Sequence, residues 1–238
     1  MTNKTIILVS LSISPEKEAD FNEFYHHRYI PNLMKIIPEI KFARRYQEHN
    51  VEGTLRYYNK QFLTIYGCDS ETPSSSILEA IKERSGREKE KAEWSKFQTN
   101  DLHHLESACI YTQRYQHPRG MEKTLFNNPF FMVSVEVIPK KIALFDDWYE
   151  DHYLPRNLSD VPTWTACTRY SSQGRTPSRH LTLYEAQDLA ALQQSLDLMR
   201  AQHRLKENAS WKQWDTGNDP AITWEDATSF KPIFRYPD

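Results

Sequence analysis

Apolar and polar positions alternate along the chain in two different rhythms, and the order of those rhythms predicts the elements. Ile6–Ile13 is apolar and β-branched, as a strand requires, and Ser14-Pro15 after it is a helix-start signal. Spacing at about 100° per residue then runs from Pro15 to Ile36, with Pro38 just beyond as a stop. Phe42–Glu48 and Gln61–Cys68 read as strands around a polar loop that contains Gly53. A second helix is expected over Ile77–Phe97, capped by Ser74–Ser76, and His104–Tyr115 reads as a closing strand. The second half gives Phe130–Ile138, Ala143–Leu158, Trp164–Ser171, Leu181–Ala186, Leu189–Trp214 and Thr223–Phe234 in the same strand–helix–strand–strand–helix–strand order.

The two halves also match residue by residue. Phe21-Asn-Glu-Phe-Tyr-His-His-Arg-Tyr-Ile-Pro31 lies over Phe145-Asp-Asp-Trp-Tyr-Glu-Asp-His-Tyr-Leu-Pro155 without a gap, at an offset of 145 − 21 = 124. Arg45-Tyr46 falls on Arg169-Tyr170 at the same offset, and Leu63-Thr-Ile-Tyr66 on Leu181-Thr-Leu-Tyr184 at 181 − 63 = 118. Trp94 then pairs with Trp211, and Glu106-Ser-Ala108 with Glu225-Asp-Ala227. Matches in this order argue for an internal repeat. They predict an α+β protein of tandem ferredoxin-like βαββαβ units, each an antiparallel sheet with both helices on one face. The bare faces must be covered, so the sheets are expected to pack into an α/β barrel, within one chain or between two as a homodimer. The expected division is 1–117 for the first unit, 118–129 for a linker punctuated by Pro118, Gly120 and Pro129, and 130–238 for the second.

Composition narrows the partners. Thirty basic against thirty-two acidic residues leave a net charge of −2, which gives no footprint for nucleic acid or an anionic membrane. Three cysteines, Cys68, Cys109 and Cys167, form no CxxC pattern and read as reduced thiols in the cytoplasm. No apolar run is long enough to span a bilayer. Aromatics are the excess, with 13 Tyr, 11 Phe and 6 Trp, enough for cores and for the wall of an amphipathic pocket. His26-His27 and His103-His104 are adjacent pairs whose side chains diverge, and no HxxxH or HExxH spacing occurs, so no metal is expected. There is no Gly-rich phosphate loop and no GxSxG elbow.

Phe-x-x-Phe/Trp-Tyr-x-x-x-x-Ile/Leu-Pro on the first helix of each copy, Arg-Arg-Tyr or Thr-Arg-Tyr on the next strand, Leu-Thr-x-Tyr, and a Trp near the end of the second helix together resemble the dimeric α/β-barrel superfamily, in particular its EthD-like branch. Members of that superfamily include cofactor-free monooxygenases, polyketide cyclases, lactone isomerases, haem-binding enzymes and proteins with no known activity. Many EthD-like members place a His two residues before the Pro of this helix, where this chain has Tyr29 and Tyr153. The resemblance implies a small-molecule site with no obligatory cofactor. Haem is the alternative it leaves open, and a non-catalytic binding or sensing module is another.

Helical geometry puts Phe145, Trp148, Tyr149 and His152 on one face, with Phe21, Phe24, Tyr25 and Arg28 on the matching face of the first copy. His152 is therefore the expected general base, or a structural His bonded near the helix end. Tyr153 or Tyr149 would donate to a developing oxyanion, with Tyr29 and Tyr25 at the matching positions; a phenol tucked against Pro is the bland alternative. Arg45 and Arg169 on strands would hold a carboxylate or phenolate if they point inward, or pair with an acid if outward. Trp148, Trp94 and Trp211 are candidates to stack on an aromatic ligand, or simply pack helix on sheet. The expected function is a cofactor-independent enzyme using proton transfer on a hydrophobic aromatic or polyketide-like molecule: an isomerase, cyclase, lyase or monooxygenase.

Overall fold

The computed structural model describes residues 5–50, 61–68, 72–83, 87–97, 107–120 and 126–237. The loop containing Gly53, the residues His103-His104 and Glu106, and part of the expected linker lie outside them. The chain divides into two compact units: Met1–Glu48, Leu55–Thr112 and Pro232–Asp238 in the first, His49–Thr54 and Gln113–Lys231 in the second.

In the first unit, β1 (Thr5–Ser12) pairs antiparallel with β3 (Gln61–Cys68) and β4 (Ser107–Gln116), and β2 (Ile40–Glu48) pairs with β3. Ile6–Leu11 of β1 and Phe62–Cys68 of β3 are buried without alternation, the mark of strands covered on both faces. One cover is the first helix, α1 (Glu18–Phe24) and α2 (Ile30–Ile36) joined by a π-turn at Tyr25–Tyr29. The other helix, expected as one run over Ile77–Phe97, is α3 (Ser74–Lys82) and α4 (Glu88–Ser95). Pro73, not a serine side chain, occupies the cap of α3.

The second unit repeats the order. β5 (Phe130–Val137) pairs with β7 (Ser178–Ala186) and β8 (Ile222–Tyr236), and β7 with β6 (Trp164–Ser172). Its first helix is α5 (Ile142–Trp148) and α6 (Leu154–Asp160), again with a π-turn, Tyr149–Tyr153. The expected Leu189–Trp214 helix is broken into α7 (Leu189–Arg200) and α8 (Leu205–Asp215), because Ala201 turns to extended geometry. That break lets Arg204 fold inward and reach Asp160 at 2.7 Å. The Asp188 side chain caps α7 by accepting from the Ala191 N–H. Hydrogen-bonded strand order runs β1-β3-β2-β8-β5-β7-β6-β4 and closes, so one chain supplies all eight strands of the barrel.

The π-turns follow from the sequence. Pro31 and Pro155 lack the N–H that an α-helix would direct at the carbonyls of His27 and Asp151, and their rings crowd those carbonyls. The turn ahead of each proline widens instead, and the Ile30 and Leu154 N–H groups reach back five residues to Tyr25 and Tyr149.

Candidate functional site

The wide turn decides which side chains of the first helix enter the space above the sheet. Residues in a π-turn advance by less than the α-helical 100° each, so Tyr153 swings to the inner face and His152 swings off it. Tyr153 stacks on Tyr149 with centroids 5.3 Å apart and planes at 13°. His152 is exposed and lines an outer groove of about 490 Å³ with Trp148, Asp151, Tyr153, Arg156 and Glu207. The expectation of an inward His152 assumed an unbroken α-helix, and the π-turn corrects it.

Inside the second unit lies a cavity of about 220 Å³ lined by Phe131, Val133, Tyr149, Tyr153, Tyr184, Met199, Asn208, Trp211, Glu225 and Ala227. Strands β5, β7 and β8 form its floor, and the first helix with α8 forms its wall. Tyr149 and Tyr184 share a hydrogen bond at 3.2 Å, and burial raises the pKa of both phenols. Burial raises that of Tyr153 too, opposed by the charge of Arg204, whose guanidinium lies 5.8 Å from the ring centroid. Trp211 packs tilted against Tyr149 and Tyr153, with centroids at 5.6 and 5.5 Å, and its Nε1–H donates to Glu225 Oε2 at 3.3 Å. Glu225 stands at the mouth, exposed on one side. Desolvation on the other raises its pKa, with Asp215 and Asp226 adding to the rise and the Trp211 bond opposing it.

Arg169 points inward but is committed to the protein. Fully buried, it pairs with Asp146 and Glu150 at 2.6 Å each and donates to His180 Nδ1 at 2.9 Å. Arg114 adds a second cation to Asp146 at 2.8 Å. Burial, with Arg169 and Arg114 nearby, lowers the pKa of His180 to about 3. Of the two sequence readings, the pairing with a neighbouring acid describes Arg169, though from an inward position.

The first unit places its candidates differently. Tyr25 bonds Tyr66 at 2.9 Å and stacks on Tyr29 at 4.9 Å, with Trp94 packed over Tyr29 at 5.1 Å; all four are buried. Phe97 packs beside Phe21 and Phe24 at 5.2 and 5.7 Å. Arg28 is exposed and pairs with Glu93. Arg45 is fully buried against Phe21, Tyr25 and Phe62, and its Nη1 bonds Asn22 and His26 at 2.6 and 2.7 Å. Asn22 and His26 occupy the positions of Asp146 and Glu150, since 22 + 124 = 146 and 26 + 124 = 150. The acids around Arg169 are neutral groups around Arg45, and burial beside that cation lowers the His26 pKa to about 3.

Sequence reasoning brought Tyr149, Tyr153 and Trp211 to the cavity but passed over Tyr184, Asn208 and Glu225. Tyr184 and Glu225 carried a signal, as each ends or begins a repeated motif. Arg204 carried one also: 204 − 87 = 117 is the offset of Trp211 from Trp94, and Arg87 lies over Tyr29 at 5.0 Å as Arg204 lies over Tyr153. No imidazole lines the cavity among the described residues. Nor do the described residues include a group of three His, Cys, Asp or Glu able to hold a metal ion, or a helix long and apolar enough to cross a membrane.

A scan against protein-family models and a search of curated proteins each returned no match. Solved structures do resemble the chain. A proposed monooxygenase from Fusobacterium nucleatum superposes with a TM-score of 0.61 at 10% identity, covering 99% of this chain and 95% of that one. An anthrone oxidase-like protein gives 0.57 at 12%, covering 98% and 92%. A proposed monooxygenase from Lactobacillus acidophilus gives 0.50 at 8%, covering 96% and 94%. At such identities the likeness shows the fold alone, a ferredoxin-like α+β fold whose strands close into a barrel.

Proposed function

We propose that the chain is a fused pair of EthD-like units and a cofactor-independent enzyme, with its active site in the cavity of the second unit. Glu225 is the general base in this reading, and Tyr153, supported by Tyr149 and Tyr184, donates to the oxyanion that forms as the proton leaves. A hydrophobic, aromatic substrate lies between the Trp211 and Phe131 sides of the cavity. The cavity is smaller than the roughly 300–1,000 Å³ of sites for drug-sized ligands, which suits one or two rings. The chemistry is abstraction of a proton beside a carbonyl or from a phenol, the step shared by isomerases, cyclases, lyases and cofactor-free monooxygenases.

The observation that carries this reading is a carboxyl with raised pKa at the mouth of an aromatic cavity, opposite three phenols. A base works best when its pKa lies near the working pH, and desolvation moves a carboxyl in that direction. The substrate is to be sought first among small molecules that co-purify with the protein. With it in hand, Glu225→Gln is expected to lower turnover about 10²–10⁴-fold in a folded protein. His152→Ala, at the outer groove, is expected to change it little. The opposite pattern would hand the role of base to His152, and binding without turnover would make the chain a sensing module.

A further inference from the structure

The cavity lining is electrically one-sided. It contains the Glu225 carboxyl and three phenols, and no Lys, Arg or His. The nearest buried cations lie outside the lining: Arg169 pairs with Asp146 and Glu150, and Arg204 pairs with Asp160 and lies against the Tyr153 ring at 5.8 Å. An anionic ligand would meet no cation in the lining itself and would face the Glu225 carboxyl, at a desolvation cost.

Asn208 adds a requirement of a different kind. Its amide is oriented by the backbone: Nδ2 donates to the Met199 carbonyl at 3.1 Å, and only the NH₂ end of an amide can do so. That fixes Oδ1 as the free end, and no hydrogen bond occupies it among the described residues. The Tyr149 and Tyr184 hydroxyls satisfy one another. Asn208 lines the cavity and its Oδ1 is an oriented acceptor open to solvent, so a ligand that covers it without offering a donor would leave it unpaired.

We propose that Asn208 is a specificity-determining residue, accepting a hydrogen bond from a hydroxyl on an uncharged ring, and that the cavity rejects the same ring carrying a carboxylate. This rests on the cavity being the ligand site. A site built to bond a hydroxyl discriminates strongly against the analogue that lacks it, whereas a plain apolar slot does not.

Titration of the full chain with 2-naphthol, naphthalene and 2-naphthoate at pH 7, followed by tryptophan fluorescence and calorimetry, tests the proposal. The expected order is 2-naphthol about tenfold tighter than naphthalene, the ratio one buried hydrogen bond supplies, with no binding of 2-naphthoate. Asn208→Leu should erase the preference for the hydroxyl, and Glu225→Gln should admit 2-naphthoate. Equal affinity for 2-naphthol and naphthalene in the unaltered protein overturns the role of Asn208 while leaving an aromatic cavity in place. So does a preference that survives in Asn208→Leu. Failure of all three compounds to bind overturns both this inference and the reading of the cavity as a ligand site. If Asn208→Leu does not fold, the three-compound series on the unaltered chain decides.

Discussion

Acidification should unfold this protein through two histidines held neutral against arginine, and His180 carries the larger share. It is 1% exposed, and its Nδ1 accepts from Arg169 at 2.9 Å, so protonation would set a second buried cation against the first. Its pKa lies at about 3 in the folded chain, against the ordinary 6.5 that it recovers on unfolding. The unfolded state therefore takes up the proton first, and the stability present above pH 6.5 is lost as pH falls toward 3. At pH 5 the gap is 1.5 units, which at ~1.36 kcal/mol per unit is about 2 kcal/mol from this residue. His26 acts in the same direction and contributes less, being partly open to solvent. The assay is urea unfolding at pH 7 and pH 5 of the natural chain and of His180→Phe. Phenylalanine is the apt replacement because Phe62 holds the matching position in the first unit, at 180 − 62 = 118. The variant loses the Arg169 bond at both pH values, and that cost cancels. Its loss of stability between pH 7 and 5 should be smaller by about 2 kcal/mol. Equal losses in the two proteins would refute the argument.

Two further predictions concern stability. Arg169→Met strands Asp146 and Glu150 with only the half-exposed Arg114 and should cost roughly 3–5 kcal/mol in a chemical melt, the usual result of breaking a buried pair. Arg45→Met leaves the neutral Asn22 and His26 without their bonds, with the Glu18 carboxylate interacting only at longer range, and should cost distinctly less, so similar losses would contradict the asymmetry. Gly120 has φ +91°, and a Cβ there would lie 2.6 Å from Ala166 Cβ and 2.7 Å from the Thr165 carbonyl. Gly120→Ala should therefore destabilise by about 1–3 kcal/mol in the same assay.

The architecture was legible because the strand and helix rhythms recur in one order in both halves of the sequence. Strand β3 was expected at Gln61–Cys68 and occurs there, and strand ends elsewhere shift by only a few residues, as at Ile222–Tyr236 against the expected Thr223–Phe234. Periodicity failed where a tertiary demand outweighed local preference. The segment Leu189–Trp214 is expected as one helix, yet the chain breaks at Ala201, where Arg204 folds inward to Asp160. No pattern of apolar residues encodes that demand.

The site was harder to read, for a reason with a single physical cause. A face assigned at 100° per residue is only as good as the helix under it, and Pro31 and Pro155 widen the turn just ahead of them. The same motif that marks the first helix as familiar also turns its inner face from His152 to Tyr153. A proline at position i forbids the bond to i−4, and a tyrosine two residues ahead of it then moves onto the inner face. The rule applies in both units: Tyr29 is 3% exposed and Arg28 lies outside. In the proposed reading the chemistry comes from phenols on the first helix and from a carboxyl on the last strand, Glu225. The cavity lining is gathered from Phe131 on β5 to Ala227 on the last strand, beyond the reach of local spacing.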